Sequence, residues 1–68
     1  MIGRYEVLEV LTNGGPFAVA SHDDPADALR DRDQRRRYQS QYGHRQVYVQ
    51  HREGGRPLEW DDVERAAA

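Results

Sequence analysis

Five arginines fall between Arg30 and Arg37, in the stretch "RDRDQRRR". The guanidinium fork matches a phosphate group bidentately, so this run could hold a charged partner directly. A helix that tracks a nucleic-acid backbone needs its positive charges along one stripe. At about 100° per residue, Arg30 and Arg37 fall close together, while Arg32, Arg35 and Arg36 fall on another side. Acids are interleaved: Asp31 with Arg35 and Asp33 with Arg37 have i,i+4 spacing, worth about 0.2–0.5 kcal/mol per pair. Arg32 and Arg36 share a side with Leu29, which predicts stems laid over the sheet edge and heads in water. The run therefore reads as a solvated, salt-bridged helix. The alternative is a nucleic-acid contact through Arg30, Arg32, Arg35, Arg36, Arg37 and Arg45.

The other reactive residue types give less. His22 stands beside Asp23 and Asp24, but no nucleophile or oxyanion donor accompanies it, so it reads as a surface histidine near a helix start. His51 reads as a half-buried edge residue. The chain has no cysteine and no His-x-x-x-His pair, so a zinc site lacks ligands. Asp61, Asp62 and Glu64 are too few oxygens for a calcium loop. Neither "NGGP" nor "EGGR" matches a phosphate loop. No catalytic residue, metal site, cofactor or small-molecule ligand is expected, and the chain reads as non-enzymatic.

The elements that would position these residues follow from local signals. "RYEVLEVLTNGGPFAVASH" predicts a β-hairpin, because Asn13-Gly14 between apolar runs suits a type I′ turn. In that register Val10 faces Phe17 and Leu8 faces Val19, and these four form the expected core face. The opposite face then carries Tyr5, Val7, Glu9, Ala18, Ala20 and His22. Asp24 is a good N-cap and Pro25 suits the first helical position. The spacing predicts a helix running to about Tyr42, with Gly43 as its C′ residue. Only Ala28 and Leu29 are apolar on its inner side, so its later turns are expected to stay out of deep burial.

"QVYVQHREGGRPLEW" predicts a second hairpin turning at Gly54-Gly55, with Val49 facing Trp60 and His51 facing Leu58. Val47 and Val49 would point inward, and Gln46, Tyr48 and Gln50 outward. "DDVERAAA" predicts a short helix with Asp61 and Glu64 spaced as a capping box. The sum is α+β, in the order ββαββα, as one small domain over residues 1–68. A weaker alternative makes residues 57–67 one helix on a three-stranded sheet.

Composition bounds the class. Sixty-eight residues bury only about 60% of the unfolded surface, so the margin of stability is thin. Ten arginines and no lysine stand against twelve acids, for a net charge of −2. Residues 1–29 carry −4, residues 30–45 carry +4 and residues 46–68 carry −2. No apolar run reaches the ~18 residues of a membrane span, and no signal-peptide core is visible at the N-terminus. A soluble protein of a reducing cytoplasm is expected, with no membrane partner.

The outer sheet face is the second candidate site. Tyr5, Val7, Ala18, Ala20 and Tyr48 form a half-apolar surface that fits a protein partner or a second copy of the chain. Tyr5 and Tyr48 could also stack bases, but such platforms line positive grooves and this face offers Glu9 instead. "PFAVASHDDPADALRDRD", a strand leading through an Asp-Pro cap into an Ala/Arg/Asp-rich helix, resembles small orphan proteins of GC-rich actinobacteria and their phages. The resemblance covers about a quarter of the chain and carries no site residues. It implies a short accessory protein, often phage-encoded and acting on a host partner in the host cytoplasm.

Overall fold

The computed structural model describes residues 3–11, 14–39 and 46–67. Its elements are β1 (Tyr5–Leu11), β2 (Gly14–His22), α1 (Pro25–Gln39), β3 (Gln46–His51) and α2 (Trp60–Ala67). The strands form one antiparallel sheet in the order β2-β1-β3. The fold is therefore α+β as expected, with three strands and two helices in the order ββαβα.

The fourth expected strand is reduced to a single bridge between Val49 and Leu58. Leu58 donates its N–H to the Val49 carbonyl at 2.7 Å, and two residues later α2 begins. The reason is a cap placed earlier than Asp61. Asp62 Oδ2 accepts the Glu59 N–H at 2.8 Å, and the Asp62 N–H donates to the Glu59 carbonyl at 3.0 Å. Glu59 and Asp62 thus do the work expected of Asp61 and Glu64, and residues after Leu58 are committed to helix. The turn also differs from the expected one. The Gly54 N–H bonds the His51 carbonyl at 2.8 Å, closing a turn over Arg52-Glu53. Gly54 and Gly55 follow it with φ of 107° and 104°, which side chains rarely adopt. Leu58 rather than Trp60 therefore sits across from Val49.

In the first hairpin Tyr5 pairs with His22, Glu6 with Ser21 and Val7 with Ala20, but Gly14 belongs to β2 and pairs with Leu11, so it is not the turn residue expected. A bulge at Val19 then slips the register, so Leu8 pairs with Ala18 and Glu9 with Phe17. Asn13 itself lies outside the described residues, as do Tyr42 and Gly43. On the other side of β1, Val7 pairs with Val49, Glu9 with Val47 and Leu8 with Tyr48.

These pairings invert the expected faces of β1. The buried core is Val7, Ala28, Leu29, Val47 and Val49, with Tyr5, Ala20, Leu58, Trp60 and Val63 packed against it. Val47 and Val49 point inward as predicted. Leu8 and Val10 lie on the side away from α1, and Phe17 and Val19 are 53% and 36% exposed. Period-two alternation could not choose, because "YEVLEVL" is equally apolar on both faces.

α1 starts as its signals require. The Ala26 N–H donates to Asp24 Oδ1 at 2.9 Å, and the Ala28 N–H to the Asp24 carbonyl at 3.1 Å. Asp24 is the N-cap and Pro25 the first helical residue.

Candidate functional site

The arginine run sits on α1, and its described members are engaged within the fold. Arg32 is the extreme case, at 3% exposure. An arginine is almost never buried unless its charge is answered. Here Nε donates to Asp33 Oδ1 at 2.9 Å, and Nη2 lies 2.8 Å from the same oxygen. Nη1 donates to Glu59 Oε2 at 3.0 Å and to the Leu58 carbonyl at 3.4 Å. Asp33 Oδ2 in turn accepts the Trp60 indole N–H at 2.8 Å. One guanidinium thus joins α1 to the bridge residue Leu58 and to Glu59, which directly precedes α2. This corrects the expectation of an Arg32 head in water, while the turns after it stay out of deep burial as expected, with Gln34, Arg36, Arg37 and Tyr38 exposed.

Arg36 keeps an exposed side chain, yet its Nε donates to the Val47 carbonyl at 2.9 Å and ties α1 to β3. Arg35 Nε donates to Asp31 Oδ1 at 2.7 Å, the i,i+4 pair the sequence predicts. Asp33, which the spacing pairs with Arg37, meets Arg32 and Trp60. Arg30 Nη1 meets Asp27 Oδ1 at 3.2 Å on the open surface. Arg45 lies outside the described residues.

Asp31 has a second partner that the sequence did not indicate. His22 Nε2 lies 2.7 Å from Asp31 Oδ2, with both side chains mostly shielded. His22 therefore belongs to a strand–helix contact rather than to its neighbours Asp23 and Asp24. Partial burial pushes the Asp31 carboxyl up, but the hydrogen bonds from His22 and Arg35 outweigh it and hold it below its ordinary 3.8. Asp33 is held low in the same manner, burial being outweighed by the Trp60 and Arg32 bonds. Asp62 is lowered by the Glu59 backbone N–H and then by Arg56.

The outer surface expected around Tyr5, Val7, Ala18, Ala20 and Tyr48 is split by the sheet. Val7 is fully buried, and Tyr5 and Ala20 pack on the core under α1. Tyr5 also meets His51 edge-on, ring centres 5.2 Å apart. Val7 is therefore closed to a partner, and Tyr5 and Ala20, half-buried on the α1 side, share no face with Tyr48 or Ala18. Ala18 and Tyr48 remain on the side away from α1, where they flank Leu8 in one row across the sheet. The next rows hold Ser21, Glu6 and Gln50 on one side, and Val10 with Gln46 on the other. The face away from α1 thus carries Leu8, Val10, Ala18 and Tyr48 flanked by Glu6, Ser21, Gln46 and Gln50, and beyond Glu6 the chain reaches Arg4 and Arg52, joined through their backbones at 2.8 Å.

Among the described residues no cluster of three or more His, Cys, Asp or Glu is placed to hold a metal ion. No described helix is long and apolar enough to cross a membrane. No family model matches the chain, and neither does any curated protein or solved structure.

Proposed function

We propose that the protein is a non-enzymatic interaction module that recognises another protein through the open face of its sheet. The observation that carries this reading is the likeness of the two faces. Val7, Val47, Val49 and Ala20 are covered by α1, while Leu8, Val10, Ala18 and Tyr48 form an equally apolar face that neither helix covers. The binding residues are moved accordingly, from Tyr5, Val7 and Ala20 to Leu8 and Val10, with Ala18 and Tyr48 kept. A half-apolar face with an aromatic at its middle row suits protein recognition, since tyrosine supplies rigid contact area and a polar tip. The resemblance to phage-type accessory proteins is in keeping with this role. The internal engagement of Arg32, Arg35 and Arg36 removes the main support for a nucleic-acid reader.

The test is affinity capture with wild type, Tyr48→Glu and Arg30→Glu. A partner held by wild type and Arg30→Glu but lost by Tyr48→Glu supports the reading. A partner held equally by all three, or none at all, overturns it.

A further inference from the structure

We propose that the protein pairs with a second copy of itself through the outer edge of β2, so that one sheet runs across both copies. β1 is the middle strand, which leaves β2 and β3 as edges. The N–H and C=O of one strand residue point the same way, and that direction alternates along the strand. The β3 edge is closed. The Leu58 N–H meets the outward Val49 carbonyl at 2.7 Å, and Arg36 Nε meets the outward Val47 carbonyl at 2.9 Å. Val7 lies opposite Val49 and so turns its own groups toward β2, where it faces Ala20. Ser21, one residue along, therefore turns its N–H and C=O outward. Across the bulge, Ala18 opposite Leu8 does the same. Among the described residues nothing closes these groups.

An edge of this kind accepts an added strand through main-chain hydrogen bonds unless charge or proline guards it. Gly14–His22 holds no arginine, aspartate or glutamate, in a chain that is 32% charged. Pro16 guards only the Gly14 end and lies outside the span from Ala18 to Ser21. Phe17 and Val19 stand on the same strand, 53% and 36% exposed.

Fit and area make a second copy the occupant. A two-fold axis perpendicular to the sheet between Val19 and Ala20 sets Ala18 against Ser21 of the second copy, and Ser21 against its Ala18. Those two pairs supply about four main-chain hydrogen bonds. Val19 and Ala20 then meet each other across the axis. Asp23 falls beside Pro16 of the second copy, so no like charges face one another. This axis also leaves both open faces on one side of the joined sheet and both α1 helices on the other. Three strands about 4.8 Å apart and about six residues long cover about 300 Å² of flat surface, well under the roughly 800 Å² per partner of a standard interface. Six strands double that to about 600 Å². The area argument rests on the open face being the recognition surface, whereas the edge pairing stands without it.

Sedimentation equilibrium from micromolar to millimolar protein tests the pairing, with amide hydrogen exchange followed by NMR at both ends of that range. Wild type should rise from monomer toward twice that mass. The Ala18 and Ser21 amides should exchange freely in the monomer and slow about tenfold or more in the dimer. Ala18→Pro removes an outward N–H and no bond to β1. It should lower the association constant about tenfold or more, since the two-fold loses two of its main-chain bonds. Val19→Arg sets like charges at the axis and should stay monomeric, and it replaces Ala18→Pro if circular dichroism shows that variant unfolded. Leu8→Glu, on the open face, should dimerise as wild type does. A wild type monomeric throughout, or a dimer that survives Val19→Arg, overturns the proposal. The Tyr48→Glu capture decides the open-face reading separately from either result.

Discussion

Arg32 shows how a residue type misleads when its surroundings are unknown. Its five donors look like a phosphate contact in the sequence, and in the fold they meet Asp33, Glu59 and the Leu58 carbonyl. The signal was its position one turn after Leu29, on the buried side of α1, together with an adjacent acid. Replacing Arg32 by Met keeps the apolar stem and strips the donors, leaving Asp33 and the Leu58 carbonyl underbonded. Hydrogen bonds to charged groups are worth about 1.5–3 kcal/mol, and Glu59 is largely solvated, so a loss of about 1–3 kcal/mol is expected in urea unfolding. Arg30→Ala, at an exposed pair, should stay within about 0.5 kcal/mol. The carboxylates supply a second prediction. Asp31 and Asp33 titrate lower in the fold than in the unfolded chain, so at low pH the unfolded chain binds more protons. Their contribution is fully present above the unfolded value near 3.8 and is lost as pH falls through the lower folded value. The urea midpoint should fall on acidification below about pH 4, and Asp31→Asn should flatten that fall.

At the scale of elements, the legible parts were those with local chemistry. Asp24-Pro25 starts α1, the first two strands pair as a hairpin although Gly14 lies in β2 rather than in the turn, and Val47 and Val49 point inward. The hidden parts depended on tertiary choices. β1 offers Val7 on one face and Leu8 with Val10 on the other, and only the position of α1 over the Val7–Val49 pair decides between them. The bulge at Val19 has no local signature, and it pairs Phe17 with Glu9 on the α1 side of the sheet, where Phe17 is still 53% exposed. Leu58 and Trp60 were apolar enough for a strand, but Glu59 and Asp62 cap a helix between them. The choice of faces can be tested by adjacent substitutions. Val7→Glu buries an unpaired carboxylate where exposure is zero, at a cost of several kcal/mol. A chain of this length has a margin of about 3–10 kcal/mol, so that variant should be largely unfolded by circular dichroism. Leu8→Glu, one residue along on the open face, should keep the fold. The reverse result would place α1 on the wrong side of the sheet.

At the scale of the whole molecule, the charge pattern decides what surface is left for a partner. The basic middle of the chain is not a basic patch in space, because α1 brings acids to its own arginines: Asp27 to Arg30, Asp31 to Arg35 and Asp33 to Arg32. Glu59, near the acidic end, is also engaged by Arg32. Binding to nucleic acid through counterion release needs several cations free to neutralise phosphates together, each adding to the salt slope. For Arg30, Arg32 and Arg35 such a contact would first break an internal pair, and for Arg32 it would expose a core residue. Fluorescence anisotropy of labelled duplex DNA and single-stranded RNA should therefore stay flat across micromolar protein, even at low salt. Micromolar binding that falls steeply with salt, and weakens in an Arg30→Glu, Arg37→Glu variant, would show that α1 exchanges its internal partners for phosphates. A flat titration would leave the proposed recognition resting on the sheet face away from α1, with Leu8, Val10, Ala18 and Tyr48.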